Sequence, residues 1–401
     1  MVGAGYAGMA AAVTLAERGV PVTVFESAPV AGGRARRVTT GGRELDNGQH
    51  ILVGAYSELL RLMRLVDVPA TAVLRLPLEL RYADGFRMRG RLGLLLCARI
   101  PWRERIDAIR FMLFLKSTAF TVREDLSVQS LLQEHRQDGV IGHYLWRPLC
   151  VSALNTPPQR ASARVFARVL RDSLAGASGA SDLLLPRVDL SMLFPEPAGA
   201  YVRARGGEIR MSSPVRQIDE LKKEFAQIIV AVGPHQLKAL LPGLAPECAA
   251  YEYQPVYTCY LQYPDSVKLP FPMLGLAGGL VQWAFDRAAI MGSSCAEPGL
   301  IACVISAQGD HQQMEQDELA ATCHRELARA LPSLPDPKWT RVIAERRATV
   351  ACTPAMKALS IKTPIPGVVL AGDYTDPEYP PTLEAAVRSG VRAAGLTLAR
   401  P

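Results

Sequence analysis

Residues 1–26 read MVGAGYAGMAAAVTLAERGVPVTVFE, and Gly3, Gly5 and Gly8 within them stand in the spacing G-x-G-x-x-G. In a strand–loop–helix unit those glycines permit a tight turn, close approach to a pyrophosphate, and packing of the helix on its strand. The helix N-terminus then faces the anion. Ala7 to Arg18 reads as a helix of small residues, with Gly19 placed to stop it. Val22 to Phe25 is a short β-branched strand, and Glu26 follows, 18 residues after Gly8. A carboxylate there accepts both hydroxyl hydrogens of an adenosine ribose and repels a 2′-phosphate. Only Met1 and Val2 precede the loop. A fuller first strand, encoded upstream of a start assigned too late, is the expectation, with weakened retention of the dinucleotide cofactor in its absence.

The chain has 401 residues, of which 49% are hydrophobic and 21% charged, enough for a large core and more than the usual single domain. Lys and Arg exceed Asp and Glu by 45 to 38. That mild excess, without dense basic blocks, argues against nucleic acid and suits an anionic membrane surface. The eight cysteines form no C-x-x-C pair and read as buried thiols in a reducing cytoplasm. The six histidines lack ligand spacing, so no metal is expected. Met1 to Ala16 is uncharged but lacks a basic leader and is studded with glycine, so it reads as part of the binding unit rather than a signal peptide. No stretch approaches the roughly 20 apolar residues of a spanning helix. A soluble or peripheral protein is expected.

Further pieces of one nucleotide site lie elsewhere. SAPVAGGRARR (27–37) offers Gly32 and Gly33 for close phosphate approach and Arg34 for a charge-assisted bond. ELDNGQHILVGAY (Glu44 to Tyr56) places Gly48, Gln49 and His50 in a loop suited to lie against an isoalloxazine ring. Near the other end, GVVLAGDYTDPEYPPTLEAAVRSGVRAAGLTLA (367–399) is a second strand–loop–helix unit. Val368 to Ala371 is its strand, Gly372 and Asp373 end it, and Thr382 and Leu383 open a helix to Leu398, an arrangement that suits a ribityl chain and flavin carbonyls. Arg203 to Ile218 and Phe225 to Pro242 read as strands and a helix of the same layer, with Val215 counted at the cofactor. The expected fold is α/β. A discontinuous Rossmann-type FAD-binding domain (1–74, 200–245 and 341–401) carries an inserted α+β substrate-binding domain (75–199 and 246–340).

Taken together, GAGYAGMAAAVTLAERG, Glu26, AGGRARR and LAGDYT…PTLEAAVRSGVRAA resemble the FAD signature of the flavin amine oxidase and phytoene desaturase superfamily. DNGQHILVGAY, LWRPLCVSALNTPPQRASARVF (Leu145 to Phe166) and YQPVYTCYLQYP (Tyr253 to Pro264) resemble the squalene-associated flavoproteins of bacterial hopanoid synthesis, the hydroxysqualene dehydroxylases. That resemblance runs over essentially the whole chain, and the shortened first strand is its one clear departure. It implies an FAD-dependent reductase that removes the hydroxyl of hydroxysqualene to give squalene. The partner it implies is a C30 isoprenoid, and the chain names no electron donor. The alternatives are a desaturase of a polyisoprenoid such as phytoene and a non-catalytic prenyl-lipid-binding protein.

Under that reading the leaving hydroxyl needs a proton and the allylic cation a dry, electron-rich pocket. Asp46, His50 and Tyr374 are the candidate acids, each with a structural alternative as turn cap, flavin partner or wall. Tyr251, Tyr253, Tyr257, Tyr260 and Tyr263 either line that pocket or alternate within an ordinary strand. Gly90 to Phe120 is basic and apolar together. Ile106, Ile109, Phe111, Leu113, Phe114 and Leu115 are flanked by Arg103, Arg105, Arg110 and Lys116. It is either a core-facing helix or one seated peripherally on an anionic inner membrane.

Overall fold

A parallel sheet fixes the loop that follows Val2. In the computed structural model, which describes residues 1–401 apart from 91–92, 293–296, 355 and 400–401, Val2 bridges Phe25 on one side and Val230 on the other. Its amide donates to the Ile229 carbonyl at 2.9 Å, and its carbonyl accepts from Ala231 at 2.8 Å. Thr23–Phe25 pairs in parallel with Glu208–Arg210, and Ile228–Val230 with Val368–Leu370. The order across the sheet is therefore 208–210, 23–25, Val2, 228–230 and 368–370.

Parallel strands bury both faces, and alternate residues divide between two cores. Val24, Ile229 and Val369 meet the helices Tyr6–Glu17, Pro195–Arg203 and Leu383–Leu398. Ile228, Val230, Val368 and Leu370 join Leu237 and Leu241, from the helix Pro234–Leu240 and its end. The first and last helices cross with their backbones in contact. A Cβ on Gly390 would stand 2.1 Å from the Ala7 carbonyl oxygen, and one on Gly8 would stand 2.0 Å from that of Gly3. No side chain larger than hydrogen fits at either position.

The second layer is an antiparallel sheet in the order 273–275, 283–286, 300–306, 253–262 and 339–350. Helix Gln316–Ala330 covers one face with Leu319, Cys323 and Leu327. Helices Trp102–Ser117, Val128–Glu134, Arg147–Leu154 and Ala163–Leu174 cover the other, around Phe111, Trp146, Phe166 and Phe285. Asn155, in the left-handed region at φ 44°, ties that helical cap to the sheet. Its amide nitrogen donates to the Thr349 hydroxyl at 3.0 Å, and its oxygen accepts from the Ala307 amide at 2.8 Å. The seven described cysteines are buried and unpaired, and Cys295 lies outside the described residues.

Two expected domain boundaries move. The boundary at 341 falls inside the strand Trp339–Val350, whose pairing with Tyr253–Gln262 places it in the antiparallel sheet. The boundary at 199/200 cuts the helix Pro195–Arg203, whose Ala198, Tyr201 and Val202 pack in the core of the first helix. Periodicity shows that a segment has a buried face but not which layer buries it. Among the described residues no helix is long and apolar enough to cross a membrane.

Candidate active site

One cavity of about 1390 Å³ runs between the two layers. Single-ligand pockets span roughly 300–1,000 Å³, so this one has room for two. Gly3, Gly5, Glu26, Gly33, Arg34 and Val215 line one end. Gly48, Gln49, His50, Gly372, Asp373, Tyr374, Thr382 and Leu383 line it as well. A further stretch of the wall is apolar, with Leu78, Leu80, Leu145, Leu149, Trp283 and Phe285. Of the expected site residues, Gly8 and Asp46 do not reach the cavity.

The nucleotide end has the features a dinucleotide requires. Gly3 turns the chain at φ 100°. Gly5 N-caps the first helix with no side chain bonded to its free amides, leaving them for an anion. Gly5 also bridges Gly32, and a Cβ on Gly33, whose φ is 63°, would lie 3.2 Å from the Gly5 Cα. The Glu26 carboxylate accepts from the Ala4 amide at 2.7 Å and the Ala28 amide at 2.8 Å. The oxygen bonded to Ala28 also accepts from the Ser27 hydroxyl at 3.2 Å, and the one bonded to Ala4 keeps a second lone pair for a ribose hydroxyl. The Ser213 amide donates to the Glu26 carbonyl at 2.7 Å, which brings Pro214, Val215 and Arg216 alongside. An uncapped helix N-terminus, a buried ribose acceptor and close-set glycines fit FAD.

Arg34 is used differently from the phosphate bond expected of it. Its guanidinium donates to Asp373 Oδ1 at 2.7 Å and to the Ala348 carbonyl at 2.8 Å, stitching the glycine pair to the closing unit. Arg36, Arg216, Arg346 and Arg347 also line the cavity, and among the described residues none of them makes an ion pair. Those four are cations without an ion pair, Arg36 donating to the Gly33 carbonyl at 2.5 Å, and the reading of the sequence missed them. The run GGRARR held the signal for Arg36. The other three stand where only the folded chain brings them to the wall. Thr382 caps the last helix, its hydroxyl accepting from the Ala385 amide at 3.2 Å. Glu384, in the first turn of that helix, accepts from the Glu58 and Leu59 amides at 3.0 and 2.9 Å and so caps the helix Ser57–Leu65 beside the site.

The three candidate acids separate. Asp46 ends a hairpin strand and is 2% exposed, behind the wall. It accepts from the Leu190 amide at 2.8 Å and faces Arg287 at 3.4 Å. Burial pushes its carboxyl up to about 6, against the pull of Arg287. Arg287 in turn donates to Gln49 Oε1 at 3.1 Å, so the buried pair holds a side chain of the wall. Tyr374 donates its hydroxyl to the Val232 carbonyl at 3.0 Å, and burial pushes its phenol far up. Its proton is committed to the protein. His50 Nδ1 donates to the Gly48 carbonyl at 2.9 Å, since a carbonyl can only accept. No protein hydrogen bond uses its Nε2 among the described residues. Burial, with Arg34 adding to it, draws its pKa below the usual imidazole value, against the Gly48 bond.

The tyrosines from Tyr251 to Tyr263 do not line the cavity. Tyr257, Tyr260 and Tyr263 are buried in the sheet, where Tyr260 donates to the Asp46 carbonyl at 3.0 Å. The aromatic wall comes instead from Trp283 and Phe285, on a strand separated from that of the tyrosines by 300–306. The indole of Trp283 donates to the Ser152 hydroxyl at 3.2 Å.

Residues 6–398 match the family model described as flavin containing amine oxidoreductase. The chain is 29% identical to a hydroxysqualene dehydroxylase of Rhodopseudomonas palustris, over 100% of this chain and 98% of that protein. It is 21% identical to a probable zeta-carotene desaturase of Synechococcus elongatus, covering 98% and 97% of the two. Among solved structures it resembles a putative protoporphyrinogen oxidase from Exiguobacterium, with a TM-score of 0.73 at 15% identity. That match covers 100% of this chain and 98% of the other.

Proposed function

We propose, from the premise that the chain belongs to the flavin containing amine oxidoreductase family, that it reductively removes the hydroxyl of hydroxysqualene to give squalene. The observation that carries this reading is the continuity of the cavity, from the glycines and Glu26 to a chamber walled by Leu78, Leu80, Leu145, Leu149, Trp283 and Phe285. A long apolar substrate with one reacting carbon needs that combination. The relative at 29% identity over its full length adds the specific substrate.

In the reaction the carbon–oxygen bond breaks, the oxygen leaves as water with an added proton, and the carbon takes a hydride. Bound reduced FAD supplies that hydride. His50 supplies the proton from Nε2 while Nδ1 stays on the Gly48 carbonyl. A lowered pKa makes its imidazolium a stronger acid, suited to a poor leaving group. Asp46 and Arg287 position Gln49 and do not touch substrate. Leu78, Leu80 and Leu149 keep water from the cation, and the ring faces of Trp283 and Phe285 offer it negative charge. Seven buried, unpaired thiols suit the reducing cytoplasm, where the protein meets its isoprenoid at the inner membrane.

Anaerobic incubation of the flavin-reduced enzyme with detergent-solubilised hydroxysqualene tests the reading, with squalene expected by mass spectrometry. Absence of squalene from fully loaded enzyme overturns it. Desaturation of a polyisoprenoid, in the same cavity with hydride moving the other way, is the second reading, and the relative at 21% identity favours it. Oxidised enzyme that desaturates phytoene but makes no squalene when reduced would establish that direction.

A further inference from the structure

Six of the eight exposed large apolar side chains among the described residues fall between Leu96 and Phe114. On a helix turning about 100° per residue, Trp102, Ile106, Ile109 and Leu113 form one stripe along Trp102–Ser117. Trp102 is 65% exposed and Leu113 59%. The opposite stripe, Ala108, Phe111 and Leu115, is buried, with Phe111 edge-on to Trp146 at 5.7 Å. The helix thus has two apolar faces, and protein covers one. An ordinary surface helix turns a polar face outward.

Charge identifies what covers the other. Along the helix Arg103, Arg105, Arg110 and Lys116 stand against Glu104 and Asp107, while Arg99 before it pairs with Asp84 at 3.4 Å. Both carboxylates are engaged within the protein. Glu104 accepts from the Ile141 amide at 3.0 Å, and Asp107 pairs with Arg110 at 3.2 Å. By the same helical geometry Arg103 and Arg110 flank the stripe on one side and Arg105 and Lys116 on the other. The Arg103 guanidinium lies over the Trp102 ring at 5.6 Å. An apolar stripe bordered by cations with long stems matches the interface of an anionic bilayer, where the stripe meets acyl chains and the cations meet headgroups. A second copy of the chain, docked isologously, would bring those cations against each other.

The location adds a reason. Trp146, against the buried face, belongs to the run Gly142–Leu154, which begins as a π-helical turn. The same run lines the apolar chamber through Leu145, Pro148 and Leu149. The helix Trp102–Ser117 therefore packs directly on the run that forms this part of the chamber wall. We propose that the outer face of Trp102–Ser117, with Leu96, is a docking surface for anionic membrane that seats the protein with its apolar chamber beside the lipid. This holds whichever isoprenoid the chamber takes.

Sedimentation of the flavin-loaded protein with vesicles of phosphatidylcholine, with and without phosphatidylglycerol, tests the surface without any turnover. Binding to the phosphatidylglycerol vesicles is expected, weakening as salt rises. The pair Trp102→Ser and Leu113→Ser is expected to lower the bound fraction at least tenfold, with flavin content and melting temperature unchanged. Arg103→Gln with Lys116→Gln should lower it less and flatten the salt dependence. Wild-type protein left in the supernatant with anionic vesicles overturns the proposal, as does full binding by the serine pair. A lipid-free dimer that the serine pair dissolves would assign the face to a second copy instead.

Discussion

At the nucleotide end of the cavity the wall is backbone, whereas at the far end it is side chain. Gly3, Gly5, Gly32 and Gly33, with Gly8 packed behind Gly3, are placed so that main-chain atoms approach one another and leave amides pointing into space. Leu78, Leu80, Leu145, Leu149, Trp283 and Phe285 present bulk, with a polar contact from Trp283 to Ser152. A backbone wall tolerates almost no change, because an added carbon meets atoms that cannot move aside. A wall of apolar side chains can lose or gain a methylene and repack. The two ends should respond to substitution on different scales.

The largest contrast is expected from Gly8→Val set beside Leu149→Ala. At Gly8 even a Cβ would lie 2.0 Å from the Gly3 carbonyl oxygen, so the valine variant should retain less than about a tenth of wild-type flavin. Flavin absorbance per protein reads this directly, and a fully loaded Gly8→Val would remove the basis of the comparison. Next comes His50→Gln, at the junction of the two ends. It should lower kcat on hydroxysqualene by about 10²–10⁴-fold with flavin retained. In the wild type, kcat/KM should rise as pH falls past the usual imidazole range and level off below His50's lowered pKa. The glutamine variant should lose that limb.

Asp46 sharpens the comparison from behind the wall. Its folded pKa of about 6 exceeds the ordinary 3.8, so between those values the folded protein holds a proton that the unfolded chain has released. Stability therefore falls as pH rises through that window, by on the order of 2–3 kcal/mol from this one group. Asp46→Asn removes the titration. Its melting temperature should gain on the wild type from pH 4 to pH 7, and parallel curves for the two proteins would contradict the assignment. The smallest effect belongs to the chamber itself. Leu149→Ala should raise KM by about three- to tenfold with kcat nearly unchanged, because it removes binding common to ground and transition states. Steady-state kinetics at saturating reduced flavin separates the two constants.

The same contrast governs how much of the molecule was legible in its sequence. Glycines that must be glycine, an acid at a strand end and a threonine before a helix are local signals. The first helix, the strand before Glu26 and the helix Leu383–Leu398 were all readable from them. Arg287 was not, because its contact with Gln49 joins residues 238 positions apart. For Tyr260 the sequence leaves pocket and ordinary strand open, and for Asp46 acid and turn cap. The strand alternation that turns Tyr260 into the sheet places its hydroxyl on the Asp46 carbonyl, out of the cavity. The basic helix reads as either core-facing or membrane-facing, and the structure gives it a buried apolar stripe and an exposed one. Whether a segment has an apolar face is written locally. Which layer meets that face depends on chain far away.

The crossing of the first and last helices, with Gly390 against the Ala7 carbonyl, also sets an order of events during synthesis. Residues 1–33 emerge from the ribosome early, with most of the dinucleotide loop in hand. The strand Val368–Leu370 that completes their sheet, and the helix that covers it, emerge only after all the chain between them. That intervening chain must be made before the nascent site can close, which makes its formation a matter of long-range contacts and correspondingly slow. Flavin capture is then a post-translational event, and chains that stall or are cut before Val368 would remain colourless however well their first helix folds.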